Sequence, residues 1–356
     1  MSARPGDNLR TLLAGGAPDR MPFSLDIGAL PGFSAPVLRR FVAETGAGDP
    51  AEYFGSDYRI FSLKTLRGTD DSAPPALEGK PGITLDEWGI GHAPAPVEGG
   101  VGRTFPPLAG ATSIRQIEQH PCPIIVTDFD PAPLEEFHRR GYPVLGYAGS
   151  IYEWSWWLRG MENFLADLVL EPAMAEAVIA RVAGHTARLA EASARAGIDV
   201  LCFYDDVGTQ TGMQIAPDMW RRFIRPRWSG LLDDLRRRFP RVRTFLHSCG
   251  CIEAIIPDIV DLGFDMLHPL QPECMDFAKL HRRFGRHIAL CATLSSQRLL
   301  PFGSPQDVRR EVRRLKAICR ADRRGMLCPS NVIQPETPWA NVLAFAEEAR
   351  APSPSD

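Results

Sequence analysis

From Ile198 onward the chain alternates short apolar runs with longer segments whose apolar positions recur at helical spacing. Ile198–Tyr204 reads as a buried strand and Pro217–Phe239 as an Arg/Trp/Leu-patterned helix. Val242–His247 and Ile252–Leu262 repeat the pair, followed by Phe264–Leu270 and Met275–Phe284, then His287–Ala292 and Pro305–Arg320, and finally Gly325–Cys328 and Thr337–Arg350. Runs of four to seven apolar residues set between such helices predict βαβ units and a parallel sheet, and five consecutive repeats favour a barrel over an open sheet. Upstream, Met21–Ile27 and Tyr142–Tyr147 read as further strands. The second leads into a helical region from Ser150 to about Ala196, broken near Glu171-Pro172. Residues 51–120, rich in Pro and Gly with short alternating runs (Gly82–Trp88, Gly99–Phe105), read as a β-hairpin excursion. The expected architecture is a (β/α)8 TIM-type barrel with that excursion in its N-terminal half: one domain over residues 1–351, then a disordered tail, 352–356.

Composition narrows the class. A chain of 356 residues exceeds the usual single domain, but α/β barrels run this long as one unit. The net charge of −3 and the near balance of acids and bases exclude an extended nucleic-acid surface. The runs Arg236–Arg238 and Arg313–Arg314 fall on solvated helix faces. The N-terminus lacks the apolar core of a signal peptide, and no stretch approaches the roughly 20 apolar residues of a membrane span. Eight cysteines, with Cys202 and Cys291 inside strand patterns, suit reduced thiols in a cytoplasmic protein better than a disulfide framework.

The sharpest chemical feature is Phe245-Leu-His247-Ser-Cys249-Gly-Cys251, at the end of a predicted strand where barrels place their active sites. His-x-Cys sets an imidazole and a thiolate on one turn, which suits two corners of a tetrahedral zinc; the bland alternative is a buried histidine beside inert thiols. Asp205 and Asp206 end the preceding strand in Phe203-Tyr-Asp-Asp-Val-Gly-Thr-Gln-Thr-Gly212, and pleat alternation lets only one of them point inward. They read as substrate-binding, proton-transferring or metal-proximal groups, or as caps for loop amides. Ser150-Ile-Tyr-Glu153 fits a capping box with Glu153 at N3, and Ser304-Pro-Gln-Asp307 a helix start. Trp154, Trp156 and Trp157 read as core between helix and barrel.

With these motifs in place, the chain resembles the uroporphyrinogen decarboxylase superfamily, which includes zinc-dependent corrinoid methyltransferases. The resemblance runs from Asp19-Arg-Met-Pro22 to the last helix. It is carried by Asp205-Asp-Val-Gly-Thr-Gln-Thr-Gly212, Leu246-His-Ser-Cys-Gly250, Pro269-Leu-Gln271, Leu300-Pro-Phe-Gly-Ser-Pro305 and Gln334-Pro-Glu-Thr-Pro-Trp339. It implies a (β/α)8 barrel with a funnel at the strand C-termini. True uroporphyrinogen decarboxylases carry an Arg-rich segment after the first strand for the substrate's carboxylates. Here Asp26-Ile-Gly-Ala-Leu-Pro-Gly-Phe33 has no arginine, which argues against a porphyrin substrate. The methyltransferase branch matches better, because His247 and Cys249 align with its His-x-Cys zinc ligands. That branch's third ligand, a cysteine, falls here on Asn331, so Cys328 three residues earlier, or Cys251, would have to substitute. Asp57, Arg59, Gln271 and Asn331 are the candidate substrate contacts.

The leading expectation is therefore a zinc-dependent methyltransferase or demethylase. Zinc on His247, Cys249 and Cys328 would serve methyl transfer between a small substrate and a thiol or a corrinoid carried by a separate protein, with Asp205 or Asp206 handling a proton. A metal-independent decarboxylase or other lyase of a small or aromatic acid is the alternative, with His247 and an Asp moving protons and Arg59 or Arg103 holding the carboxylate. A third is a non-catalytic corrinoid or metal binder on the same barrel.

Overall fold

The computed structural model describes residues 6–68, 82–95, 102–321 and 324–351; the expected tail at 352–356 and the start of the Gly99–Phe105 run lie outside them. Seven strands form one parallel sheet: β1 (Arg59–Ile60), β2 (Val144–Gly149), β3 (Val200–Tyr204), β4 (Arg243–His247), β5 (Met266–His268), β6 (Ala289–Leu294) and β7 (Gly325–Pro329). Each pairs with the next in sequence, so the sheet curls in one direction with its helices outside. The expected strand Met21–Ile27 survives only as a parallel bridge between Phe23 and Leu327. Pro22 has no N–H to add to a ladder, and Gly28 turns the chain away at φ 70°. Even so, Ser24 N–H donates to the Leu327 carbonyl of β7 (3.1 Å), while Phe23 carbonyl accepts from Asp57 N–H just before β1 (3.0 Å). This short segment therefore spans the two edges of the sheet.

Strand alternation divides the apolar residues into two layers. Leu145, Val200, Cys202, Tyr204, Phe245, Met266, Cys291, Met326 and Cys328 form an inner cluster, which Leu9 and Leu12 of the first helix (Asp7–Leu13) join. Leu201, Phe203, Leu246, Leu267, Leu290 and Leu327 face outward onto helix residues such as Trp228, Ile259 and Phe345. The interior is a filled core, as in (β/α)8 barrels, and leaves the strand C-termini as the place for a site.

The helices are more broken than periodicity suggests. Pro217–Phe239 divides into Pro217–Phe223 and Arg225–Arg238, because Pro226 is tolerated only in the first turn of a new helix. The region after β2 is three helices, Tyr152–Arg159, Met161–Leu170 and Pro172–Ala196, with breaks at Gly160 as well as Glu171-Pro172. The excursion differs from a simple hairpin. It contains a three-stranded antiparallel meander (Thr84–Leu85, Gly91–His92, Thr104–Phe105) and a separate pair, Thr65–Leu66 with Ile124–Ile125. Asp86 shapes the meander's first turn by accepting from Trp88 and Ile90 N–H. No helix among the described residues is long and apolar enough to cross a membrane, and all eight cysteines are free thiols.

Candidate functional site

Parallel register brings Tyr204 of β3, His247 of β4 and His268 of β5 side by side at the strand C-termini. His247 is buried; its Nε2 lies 3.2 Å from Cys249 Sγ and 3.6 Å from Asp206 Oδ1. Cys249 N–H donates to the same Asp206 oxygen (2.7 Å), fixing the turn after β4 against the end of β3. The two loops touch at glycines. Gly250 sits at φ 83°, and a Cβ there would come within 2.5 Å of the Gly208 carbonyl carbon. Among the described residues, Asp206, His247 and Cys249 are the group whose potential ligand atoms all lie within 4.8 Å of one another. Burial holds the His247 imidazole down at about 3. Burial, and then the charge of Asp206, push the Cys249 thiol well above its ordinary value.

The two adjacent aspartates part company as the pleat requires. Asp205 points outward into the helix layer. Its Oδ1 accepts from Ser150 Oγ (2.7 Å), Ile151 N–H (3.0 Å) and Glu153 N–H (2.9 Å), and its Oδ2 from Trp228 Nε1 (3.2 Å). It is thus the anchor for the start of helix Tyr152–Arg159, and the expected proton-transfer role does not fit its position. Asp206 faces the site. The expected Ser150–Glu153 capping box is also absent, because Asp205 already takes the amides such a cap would serve. Glu153 is released toward the site, where its Oε2 accepts from Asp206 N–H (3.3 Å) and its Oε1 from Trp157 Nε1 (3.2 Å). Burial and the neighbouring Asp206 push its carboxyl up to about 8. Glu153 is a site-facing residue that sequence reasoning placed in a helix cap. The Ser-x-x-Glu spacing pointed to a cap, and only the competing Asp205 shows otherwise.

Other candidates divide between the site and its frame. Asn331 Nδ2 donates to Cys249 Sγ (3.3 Å), so the residue at the family's third-ligand position does face the site. Gln271 supports the Cys249 turn, accepting from Gly250 N–H (2.9 Å) and donating to Gln210 (3.1 Å). Cys328 is a correction. It lies in the inner apolar cluster with its thiol against Cys291, outside the Asp206–His247–Cys249 group. Cys251 is likewise outside that group, its N–H donating to the Thr209 carbonyl (2.7 Å). Asp57 and Arg59 are corrections too. Arg59 pairs in register with Val144, the first residue of β2, so both belong to the opposite end of the sheet. There Asp57 makes two hydrogen bonds with Arg20 (2.8 and 2.9 Å), and Arg59 binds Glu52 and two carbonyls with its guanidinium 3.7 Å from the Tyr142 ring centroid. Arg103 is an exposed residue of the meander, lying over Phe105.

Aromatic residues run from the donors toward the helix after β2. Tyr204 stands 5.0 Å from the His247 ring and stacks on Tyr147 at 5.8 Å, and Tyr147 accepts from Trp154 Nε1 (2.6 Å). The tryptophans after β2 are half-buried and pack against apolar clusters, Trp156 against the outer layer and Trp154 and Trp157 against the cluster of Trp88, Ile90 and Leu158, while Trp157 also contacts Glu153 and stands 6.0 Å from His92 of the meander.

Ligand atoms on a tetrahedral zinc, with Zn–N near 2.0 Å and Zn–S near 2.3 Å, stand about 3.5 Å apart. The observed 3.2 and 3.6 Å fall on either side of that value, and a carboxylate, an imidazole and one thiol are an ordinary zinc donor set. The donors present therefore fit a zinc ion, which Asp206, His247 and Cys249 would hold.

Comparison with known proteins gives the same frame. The chain is 31% identical over 160 residues to the methylcobamide:CoM methyltransferase MtaA of Methanosarcina barkeri; the match covers 44% of this chain and 42% of that protein, so it spans less than half the relative's length. A methyltransferase structure from Methanosarcina mazei superposes over 97% of this chain and 98% of that one, with a TM-score of 0.62 at 18% identity, which shows a shared fold. The family model described as uroporphyrinogen decarboxylase (URO-D) matches residues 135–352, the stretch that supplies Glu153, Asp206, His247, Cys249 and Asn331. On that match, which takes in well over half the sequence, the chain belongs to the uroporphyrinogen decarboxylase family.

Proposed function

We propose that this protein is a zinc-dependent methyltransferase or demethylase, built as one (β/α)8 barrel domain in which residues 22–24 complete the ring. The observation that carries the reading is the convergence of Asp206, His247 and Cys249 at the ends of two adjacent strands. Asp206 takes the place expected of Cys328 as third ligand. When bound there, zinc supplies a Lewis acid that stabilises a thiolate or polarises a methyl-bearing heteroatom. Around it, Tyr147, Tyr204, Trp154 and Trp157 bind the substrate's apolar part and exclude water. Glu153, buried beside Asp206, would give its proton to the heteroatom whose methyl passes to the corrinoid, and in the reverse direction its carboxylate would take the proton that a thiol sheds as it accepts the methyl group. Asn331 orients the Cys249 sulfur. The relative's name, a methylcobamide:CoM methyltransferase, supports a corrinoid as one methyl-transfer partner and a thiol as the other. The corrinoid would be carried by a separate protein in the cytoplasm.

The lyase reading required a cation for the substrate carboxylate. Arg59 is engaged at the far end of the barrel and Arg103 is exposed on the meander, while the groups beside Glu153 are acidic or aromatic. The His247–Asp206 pair would serve that reading too, but neither arginine it named for the carboxylate reaches the pair. The test is metal analysis and turnover together. Zinc-loaded protein should hold about one zinc per chain and catalyse methyl transfer between methylcobalamin and a small thiol. His247→Ala should lose both. Protein that stays metal-free after zinc loading, or a His247→Ala variant that keeps its zinc, would contradict the proposal.

A further inference from the structure

A second buried histidine lies behind the first. His268 Nδ1 is 2.8 Å from His247 Nδ1, and His268 Nε2 is 2.9 Å from the carbonyl oxygen of Pro329, two strands further round the sheet. The rings are stacked, with centroids 4.9 Å apart. A carbonyl oxygen only accepts, so His268 must carry its proton on Nε2. Its other nitrogen, in a neutral ring, is then an acceptor. Two nitrogens at 2.8 Å need one donor between them, so His247 carries its proton on Nδ1 and leaves a lone pair on Nε2. That is the atom aimed at Cys249 and Asp206. The alternative, a doubly protonated His268, would bury a cation whose only ring-nitrogen contacts are a neutral imidazole and a carbonyl.

We infer that His268 is a positioning residue that fixes the tautomer and orientation of His247, through a relay from the Pro329 carbonyl to the His247 Nε2 lone pair. The inference deepens the zinc reading, since a histidine can ligate only through an unprotonated nitrogen. It also explains a cost. Two buried imidazoles at the end of the apolar inner cluster are retained because each satisfies the other and one presents a lone pair to the site.

The relay is testable apart from the metal. Long-range 1H–15N spectra of metal-free, 15N-histidine-labelled protein should show His247 as the Nδ1–H form. His268→Gln keeps an acceptor toward His247 and a donor toward Pro329, so it should preserve that tautomer and the zinc affinity measured by competition with a chromophoric chelator. His268→Leu removes both, and should shift His247 toward the Nε2–H form and weaken zinc binding by roughly 10- to 100-fold. Thermal unfolding of each variant verifies that it folds. A wild-type His247 in the Nε2–H form would overturn the inference, as would a folded His268→Leu protein with unchanged tautomer and zinc affinity. Wild-type protein that shows the Nδ1–H form yet takes up no zinc would support the relay while contradicting the zinc reading.

Discussion

At the scale of single residues, Asp205 and Asp206 show how adjacent, identical side chains acquire different work. Asp205→Ala leaves three amide or indole donors and the Ser150 hydroxyl without their acceptor, and should cost on the order of 3 kcal/mol of stability with zinc affinity retained. Asp206→Ala should do the reverse, with a small stability change and zinc binding weakened by at least about 10-fold. Chemical denaturation and metal titration of the two variants separate the roles; equal effects on both quantities would contradict the assignment. Glu153 supplies the pH dependence. Its carboxyl is raised from 4.5 in the unfolded chain to about 8 in the fold, so across that window the native state holds a proton that the unfolded state has shed. Its contribution therefore lowers stability as pH rises from about 4.5 to 8. Glu153→Gln, which is neutral throughout, should show a flatter loss of thermal stability over that range. It should also turn over more slowly with its zinc content unchanged.

At the scale of elements, the strands from Tyr142 onward and the helix break at Glu171-Pro172 were legible, whereas the breaks at Gly160 and before Pro226 and the loss of Met21–Ile27 as a strand were not. Apolar runs such as 200–204 and 243–247 have one buried solution, and strands form there. A helix boundary depends on local competition that periodicity does not register. Pro226 and Gly160 each split a segment whose apolar spacing runs on without interruption. The site followed the same division. His247 and Cys249 could be read from their place after a strand, and Asn331 from its family position. Cys328, expected as a ligand because it ends the last strand three residues before Asn331, is turned by alternation along β7 into the inner core with Met326. His268 was missed although it occupies the same strand end as His247, one strand on; the register that makes them neighbours exists only in the sheet. The close approach of the loops after β3 and β4 gives an element-scale prediction. Gly250→Ala puts a Cβ against the Gly208 backbone at a positive φ, and should destabilise by more than about 1 kcal/mol and reduce zinc affinity, because the Cys249 turn must move. A variant with wild-type melting temperature and metal binding would show that the loops yield freely.

At the scale of the molecule, the curled sheet explains why the chemistry gathers where it does. Alternation fills the interior with Cys202, Phe245, Cys291, Met326 and Cys328. The C-terminal rim is left as the place where polar side chains from Asp206 on β3's loop to Asn331 after β7 can meet. The opposite rim holds its own charged groups, Asp57 with Arg20 and Arg59 with Glu52, which tie the first strands together and take no part in the site. The meander approaches the site's tryptophans, His92 standing 6.0 Å from Trp157, so under the proposed function it is the element placed to contact substrate.

The most direct test of the proposed zinc site is X-ray absorption at the zinc edge of the zinc-loaded protein. A site built from Asp206, His247 and Cys249 predicts a single sulfur scatterer near about 2.3 Å, with the remaining scatterers nitrogen or oxygen near about 2.0 Å. The spectrum should be unchanged in Cys328→Ser. Two sulfur scatterers, one of them lost in Cys328→Ser, would contradict the account.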